Sequence, residues 1–221
     1  MDGARPRYRL VVFDFDGTLA DSFDWFCGVL NGVADRYGFH RVAEEERDEL
    51  RALGAREIVA RLGVPAWKLP MIARHMHGLA ARDAALIGLF PGIEAMLAEL
   101  DAAGAALALL SSNDEANVRR ILGSGNAARF SRYACGASLF GKARRLAALV
   151  RASGHAPEDV LCVGDEIRDA EAARKVGCAF GAVAWGYTRA DALAALGPAH
   201  LFGSPAEIVS AVGPRAAAPA G

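Results

Sequence analysis

Short apolar runs alternate with stretches of helical spacing along most of this chain. The runs that predict strands span residues 9–13, 105–110, 132–135, 160–163 and 178–184. Between them, helical spacing predicts helices over 92–103, 114–122, 142–153 and 168–176. Because alternating strands and helices build parallel sheets covered on both faces, the pattern predicts an α/β fold with a doubly wound, Rossmann-like sheet. Ligands of such folds bind beyond the carboxyl ends of the strands, so chemistry is expected there.

One interval interrupts this alternation, between the first strand and the segment Phe90-Pro91-Gly92. It shows no convincing strand pattern and predicts helices over 21–37, 44–53, 55–62 and 67–86. A connection this long forms structure of its own. We therefore predict an inserted α-helical cap domain at 20–89, a core domain at 1–19 and 90–213, and a flexible tail at 214–221.

Composition narrows the classes of protein. Of the 221 residues, 53% are hydrophobic and 23% are charged, and the formal net charge is −1. So high an apolar fraction excludes a disordered chain, and balanced charge argues against nucleic acid as a partner, since phosphate backbones require clustered Lys and Arg. No apolar run approaches the roughly 18 residues of a membrane span, and none near the start resembles a secretory signal. We therefore expect a soluble, cytoplasmic protein that binds neither nucleic acid nor membranes.

Two carboxylates follow the first predicted strand, in the segment Asp14-Phe15-Asp16-Gly17-Thr18. Two such charges about 4 Å apart repel by about 4 kcal/mol at an effective dielectric near 20, and a cation or a shared proton would relieve this. The alternative is a hairpin turn, since Asp-Gly is a common turn signal. No second strand follows within hairpin reach, which favours a functional pair.

The second predicted strand ends in Ser111 and Ser112, followed by Asn113-Asp114-Glu115. Ser112 and Glu115 match an S-x-x-E capping box, which would begin the next helix and could by itself explain the cluster. A helix N-terminus with a free hydroxyl at a strand end is also a ready phosphate site. On that interpretation Ser111, one residue before the predicted cap, faces the ligand.

Lys142 begins a predicted helix and is one of three lysines among the 25 Lys and Arg residues. A first-turn lysine is poorly placed for the helix dipole, which favours acids there. That local cost indicates a functional role, such as holding a phosphoryl group and balancing nearby carboxylates. The alternative is a solvated surface lysine.

Another strand ends in Gly164-Asp165, and Asp169 follows four residues after Asp165. On a helix start these two acids share a face. An N-cap role would account for Asp165 but would leave Asp169 unexplained. With Asp14 and Asp16, the two acids make a cluster of hard oxygen ligands suited to Mg²⁺.

Taken together and in this order, the strand ends resemble the four motifs of the haloacid dehalogenase (HAD) superfamily. The helical insert after the first motif is similar to the cap of subfamily I. The segments 90–93 and 163–169 resemble the phosphoglycolate phosphatase-like branch. The resemblance extends over residues 8–210, and the four-motif set is its specific part.

This resemblance implies a role for each motif residue. Asp14 would be the nucleophile that forms an aspartyl-phosphate, and Asp16 would protonate the leaving oxygen and then take a proton from water. Mg²⁺ would be held by Asp14, the Asp16 backbone carbonyl and Asp165, with Asp169 as a ligand or as a residue that orients one. The phosphoryl oxygens would be bound by Ser111, Ser112 and Lys142.

The resemblance further implies Mg²⁺-dependent hydrolysis of a small phosphorylated metabolite, with phosphoglycolate as the preferred expectation, by a monomer or homodimer. The cap would close over the site and select substrates. Within the cap, Arg56 is the candidate substrate contact, because the preceding glycine could bring its guanidinium toward an anionic group. A solvated helix arginine is the equally supported alternative.

Five other interpretations of the same residues stay open. A sugar-phosphate phosphatase or mutase of this fold would use the same acids. A dehalogenase is disfavoured because it would not need the acid at Asp16, and a phosphonate-cleaving enzyme would need a cap lysine, where the sequence offers Lys68 alone. A phosphorylated receiver domain would need neither this length nor the helical insert. A catalytically silent phosphate-binding module is possible too, although every acid and the lysine are present.

Overall fold

The computed structural model describes residues 6–136 and 141–213. The predicted tail at 214–221 lies outside the described residues. The strands are β1 (Leu10–Phe13), β2 (Ala20–Asp21), β3 (Gly88–Leu89), β4 (Ala106–Leu110), β5 (Phe130–Ala134), β6 (Val160–Gly164), β7 (Ala179–Val183) and β8 (His200–Phe202). The α-helices are α1 (Phe23–Tyr37), α2 (Arg47–Leu50), α3 (Ala55–Arg61), α4 (Leu69–Arg82), α5 (Ile93–Ala102), α6 (Glu115–Arg129), α7 (Lys142–Ser153), α8 (Ile167–Val176), α9 (Ala190–Ala194) and α10 (Pro205–Val212).

Six strands form one sheet in the order β5-β4-β1-β6-β7-β8, and every pairing in it is parallel. This confirms the predicted α/β class. β1 is central, with Phe13 paired to Leu109 of β4 on one side and to Val163 of β6 on the other. The carboxyl ends of these three strands are therefore neighbours, although they lie far apart along the chain.

The core consists of two layers, one on each face of the sheet. On one face Val11 and Phe13 pack with apolar residues of α5, α6 and α10. On the other face Leu10 and Val12 pack with residues of α7, α8 and α9. Successive side chains of a strand point to opposite faces, so a strand buried on both faces is apolar at every position, as β1 is.

The insert differs from the prediction in detail. The predicted helix over 44–53 is a 3₁₀ turn, Glu44–Glu46, followed by the single-turn helix α2, and the helix over 67–86 divides into α4 and two flanking 3₁₀ turns. The expectation of no strand in this interval was wrong. The short antiparallel ribbon of β2 and β3 joins its two ends, with Ala20 opposite Leu89. Strands of two residues carry no periodicity that a sequence pattern can show.

We call residues 23–86 the helical segment. Its own apolar cluster contains the buried side chains of Val42, Leu50 and Leu62. The segment also reaches α6 of the sheet layer, where Asn117 donates a hydrogen bond to the His77 carbonyl at 3.0 Å. The division of the chain into a core and a cap domain stays a prediction. Across the described residues, every helix is too short or too polar to cross a bilayer.

Candidate active site

Asp14 follows β1 directly and forms the centre of a buried charge cluster. Its backbone N–H donates to the Val163 carbonyl at 2.8 Å, which continues the β1–β6 pairing by one residue. Its Oδ2 atom lies 2.8 Å from Lys142 Nζ, and Lys142 also forms an ion pair with Asp169 Oδ1. All three side chains are at most 7% exposed. Lys142 is therefore no solvated surface lysine: its helix directs the ammonium into the end of the sheet.

The charge of Lys142 is maintained by its neighbours. Burial alone would lower the pKa of Lys142, but the carboxylates of Asp14 and Asp169 outweigh it and raise the pKa above its ordinary value. The ammonium is thus permanently cationic at working pH, and it lies where an incoming anion would meet the end of β1.

Asp165, at the end of β6, is fully buried and held by two donors. Thr18 donates its hydroxyl to Oδ1 at 2.7 Å, and the backbone N–H of Tyr187 donates to Oδ2 at 2.8 Å. Burial raises the pKa of Asp165 well above its ordinary value, and the nearby acids Glu166, Asp14 and Asp169 raise it further. Burial likewise raises the pKa of Asp169 to about 6, although Lys142 opposes the shift.

Together these acids fit a small divalent cation. Asp14, Asp165 and Asp169 each offer one carboxylate oxygen, and the three oxygens lie within 4.8 Å of one another. Burial is the main cause of the raised pKa values of Asp165 and Asp169, and repulsion between the neighbouring acids adds to it. A bound cation would offset both effects, and hard oxygen donors match the preference of Mg²⁺. The Asp16 carboxylate is not part of this group.

Two glycines shape the wall of the cluster. A Cβ atom at Gly17 or Gly186 would come within 3.0 Å of the Asp165 side chain. Gly17 also adopts a left-handed conformation, with φ of 77°, in the turn that follows Asp16. The Asp-Gly turn signal in the sequence is therefore real, but the turn packs against Asp165 instead of connecting a hairpin.

Asp16 occupies a separate position beside the cluster. Its Oδ2 accepts a hydrogen bond from Asn113 Nδ2 at 3.1 Å, and its Oδ1 accepts from the Ser22 hydroxyl at 3.2 Å. Burial raises the pKa of Asp16 to about 6, the charge of Asp14 adds to this, and the bonds from Asn113 and Ser22 oppose it. A carboxyl group with a pKa near neutrality can both donate and accept a proton.

Ser111 lies at the end of β4, next to the end of β1. The pairing of Phe13 with Leu109 places Asp14 level with Leu110, so Ser111 comes one residue beyond. The Ser111 hydroxyl oxygen accepts a hydrogen bond from the Asn113 backbone N–H at 3.0 Å, and the residue is buried. Because its oxygen is the acceptor in that bond, its own hydrogen is left to donate to a ligand.

The capping box predicted between Ser112 and Glu115 was wrong. Helix α6 begins after Asp114, whose carboxylate accepts a hydrogen bond from the Ala116 backbone N–H at 2.9 Å. Aspartate is as good an N-cap as serine, and the chain turns two residues later than the pattern suggested. Capping thus does not account for Ser112, and its role in phosphate binding stays a prediction.

Part of the helical segment borders the site. Arg51 donates from Nε to the Tyr187 carbonyl at 2.9 Å and from Nη2 to the Gly186 carbonyl at 3.0 Å. Gly54, which precedes α3, lies against the side chain of Ile167 at the start of α8. These contacts place the residue before α3 beside the start of α8, and Arg56 lies exposed in the first turn of α3.

The sequence analysis missed the residues that surround Asp16. Asn113 stood in the quoted strand-end segment, where its amide could have been recognised as a donor to a nearby acid. Ser22 and Tyr187 carried no signal, because nothing in their local sequence indicates that they meet an acid from another part of the chain. Asp14, Ser111 and Asp165 lie at the ends of neighbouring strands, and Lys142 and Asp169 reach the same edge from the first turns of α7 and α8.

The fold and these strand ends define an α/β enzyme with a buried acidic site at the carboxyl edge of a parallel sheet. Residues 11–183 match the family of haloacid dehalogenase-like hydrolases. The chain therefore belongs to this family, which confirms the resemblance read from the four motifs, and it is a hydrolase.

Relatives with assigned names extend this result. The chain is 34% identical over 205 residues to phosphoglycolate phosphatase of Synechococcus elongatus, which covers 92% of this chain and 97% of that protein. It is 32% identical over 196 residues to the tyrosine-protein kinase PtkA of Mycobacterium tuberculosis, covering 83% of this chain and 64% of the kinase. Among solved structures, CbbY of Rhodobacter sphaeroides in complex with phosphate aligns with a TM-score of 0.70 and 25% identity, over 93% of this chain and 99% of CbbY.

Proposed function

We propose that this phosphatase hydrolyses a small phosphomonoester in two steps, with Asp14 as the nucleophile and Mg²⁺ as the cofactor. The observation that carries the proposal is that Asp14 and Asp16 lie in different environments. Asp14 pairs with the ammonium of Lys142 at 2.8 Å, whereas Asp16 accepts hydrogen bonds from Asn113 and Ser22 and has its pKa raised to about 6. An attacking carboxylate is suited to the first environment, and a group that gives and takes a proton is suited to the second.

In the first step an Asp14 carboxylate oxygen attacks phosphorus. A bond forms between that oxygen and phosphorus, the bond from phosphorus to the ester oxygen breaks, and Asp16 gives its proton to the departing alkoxide. The products are an aspartyl-phosphate and a free alcohol. Lys142 and the Ser111 hydroxyl bind the phosphoryl oxygens and stabilise the charge that spreads over them.

In the second step water attacks the aspartyl-phosphate. Asp16, now ionised, takes a proton from the water, the bond from phosphorus to Asp14 breaks, and inorganic phosphate leaves. Each acid ends the cycle in its starting state. Held by Asp14 and Asp165, with Asp169 as a ligand or a neighbour that orients one, Mg²⁺ would supply positive charge to the same oxygens. The Asp16 backbone carbonyl stays a predicted further ligand.

For the substrate we propose phosphoglycolate, which the name of the Synechococcus relative supports. Arg56, in the first turn of α3, is the proposed contact for a carboxylate of the substrate. A sugar-phosphate phosphatase or mutase stays the alternative within the same chemistry. Membership of a hydrolase family argues against the silent phosphate-binding module.

The proposal is tested by phosphate release from phosphoglycolate, several sugar phosphates and an aryl phosphate, with Mg²⁺ and with EDTA. We expect Mg²⁺-dependent release with preference for phosphoglycolate, and a loss of at least about a thousandfold in Asp14→Asn. The matched control is Asp101→Asn, which removes an exposed carboxylate paired with Arg129 at 2.8 Å. Activity that survives EDTA would reject the metal, and activity that survives Asp14→Asn would reject the nucleophile. Preference for a sugar phosphate would replace the proposed substrate.

A further inference from the structure

Tyr187 connects the two acidic positions of the site, Asp165 and Asp16, through hydrogen bonds. It lies in the loop between β7 and α9, and its backbone N–H donates to Asp165 Oδ2 at 2.8 Å. Its hydroxyl oxygen lies 2.9 Å from the Ser22 hydroxyl oxygen, which in turn lies 3.2 Å from Asp16 Oδ1. The loop after β7 thereby reaches the proposed metal ligand directly and the proposed proton donor through one hydroxyl.

The direction of these bonds follows from counting hydrogens. Ser22 has a single hydroxyl hydrogen, and it donates that hydrogen to Asp16. The bond between Ser22 and Tyr187 must then be donated by the tyrosine. A phenol is protonated at neutral pH, so the Tyr187 hydroxyl has a hydrogen to donate. The result is a directed chain from the Tyr187 hydroxyl through Ser22 to the Asp16 carboxyl group.

The tyrosine itself is firmly placed. Its ring packs against Phe23 and Phe26 of α1, with centroid distances of 5.1 and 5.6 Å. Arg51 of the helical segment holds the Tyr187 carbonyl at 2.9 Å. The ring and the backbone of Tyr187 are therefore both held in place, so its hydroxyl can fix the orientation of the Ser22 hydroxyl.

We propose that Tyr187 is a positioning residue for Asp16, acting through Ser22. The chain of hydroxyls fixes the carboxyl group in the orientation from which its proton reaches the leaving oxygen. Tyr187 contacts no substrate in this role. The proposal rests on the proposed function, in which Asp16 is the proton donor.

A proton donor matters most when the leaving group is basic. An alkoxide, as from glycerol phosphate, must be protonated as it departs, whereas p-nitrophenolate leaves readily without a proton. Misplacing Asp16 should therefore slow cleavage of the alkyl ester much more than cleavage of the aryl ester. The parameter kcat/KM isolates this, because it reports only the steps through release of the first product.

The experiment compares kcat/KM for glycerol phosphate and p-nitrophenyl phosphate in wild type and Tyr187→Phe, which keeps the ring and removes the hydroxyl. We expect kcat/KM to fall about tenfold or more for glycerol phosphate, through kcat, and less than about threefold for p-nitrophenyl phosphate. Ser22→Ala should show the same selective loss. The double variant should lose little more than either single variant, because both interrupt one chain.

The matched control is Tyr133→Phe, since the Tyr133 hydroxyl donates to the Ala127 carbonyl at 2.6 Å and lies outside the site. This variant should leave the ratio of kcat/KM for glycerol phosphate to kcat/KM for p-nitrophenyl phosphate unchanged. Equal losses on both esters, additive losses in the double variant, or a change in the ester ratio below twofold in both single variants would overturn the proposal. If Tyr187→Phe fails to fold, the ester ratio of Ser22→Ala decides. Wild type that cleaves neither ester would reject the proposed function instead.

Discussion

The carboxyl edge of the sheet and the helical segment differ in which side chains they bury. At the sheet edge, charged side chains are buried and lie against one another, as with Lys142 between Asp14 and Asp169. In the helical segment, large apolar side chains stay in solvent, with Trp67 69% and Leu86 76% exposed. The charged side chains of the site therefore belong to the sheet layer. The helical segment contributes contacts that are weaker and more easily replaced.

The ion pairs of the two regions differ in the same way. Two pairs within the helical segment, Arg41–Asp35 and Arg61–Glu49, are solvent-exposed on both sides. Exposed pairs contribute about 0–1 kcal/mol, whereas removing one partner of a buried pair destabilises by about 3–5 kcal/mol. Removing one charged partner should thus lower the free energy of unfolding strongly at the sheet edge and only slightly in the helical segment.

The largest contrast is expected between two lysines. Lys142→Met leaves buried carboxylates without their cation, so at pH 8 we expect the free energy of unfolding to fall by about 3 kcal/mol or more. Phosphate release should fall about a hundredfold or more. Lys68→Met, in the helical segment, removes one hydrogen bond to the Tyr37 carbonyl and should change stability by about 1 kcal/mol. Urea unfolding and phosphate release measure both. Similar losses in the two variants would refute the contrast.

A second difference is expected in the pH dependence of stability without metal. The pKa of Asp169 is raised to about 6 in the folded chain, against an ordinary value of 3.8. A raised carboxyl pKa stabilises the fold fully below the ordinary value, and this stabilisation is lost as pH rises through about 6. In EDTA, wild type should therefore lose about 1 kcal/mol between pH 5 and pH 8 from this group.

The measurement is the melting temperature in EDTA at several pH values, for wild type and for Asp169→Asn. Taking the difference between the two removes the titration of groups elsewhere, such as His200, whose lowered pKa acts in the opposite direction. The difference should shrink or reverse with rising pH, and Mg²⁺ should restore more stability to wild type at pH 8 than at pH 5. A difference independent of pH would contradict the assignment.

An intermediate loss of activity is expected at Arg51, where the helical segment contacts the sheet edge. Arg51→Ala removes two hydrogen bonds to the loop that carries Tyr187. We expect kcat/KM to fall about tenfold with a stability loss of about 1–3 kcal/mol, because hydrogen bonds from a charged group are of that strength. Arg61→Ala, which removes an exposed pair within the segment, is the control and should be near wild type. Equal kinetics in the two variants would mean that the contact does not order the site.

The smallest effect is expected at Arg56. If its guanidinium meets a substrate carboxylate at the site edge, Arg56→Ala should raise KM for phosphoglycolate about threefold to tenfold and leave KM for an uncharged phosphate ester unchanged. Steady-state kinetics on both esters measure this. A KM that is unchanged for every carboxylated ester would remove Arg56 from the site.

Much of this architecture could be predicted from the sequence because it is locally encoded. A buried parallel strand is apolar at every position, so β1, β4 and β6 were recognisable, and polar residues directly after them marked the carboxyl edge. Asp14, Ser111 and Asp165 were found in this way, and Lys142 was found as a lysine in the first turn of a helix. The strand β8 and the ribbon of β2 and β3 were not, since strands of two or three residues give too short a pattern.

The sequence by itself determined the fold class, the family and the acids that follow each strand. Only the tertiary structure decided what surrounds Asp16, because Asn113 and Ser22 come from different segments and Tyr187 lies 165 positions after Ser22. Strand order brings those segments together, and strand order is set by how all the layers pack, not by any one stretch of chain. The residues that hold an acid in place can therefore be identified only from the tertiary structure, whereas the acid itself can be predicted from its position after a strand.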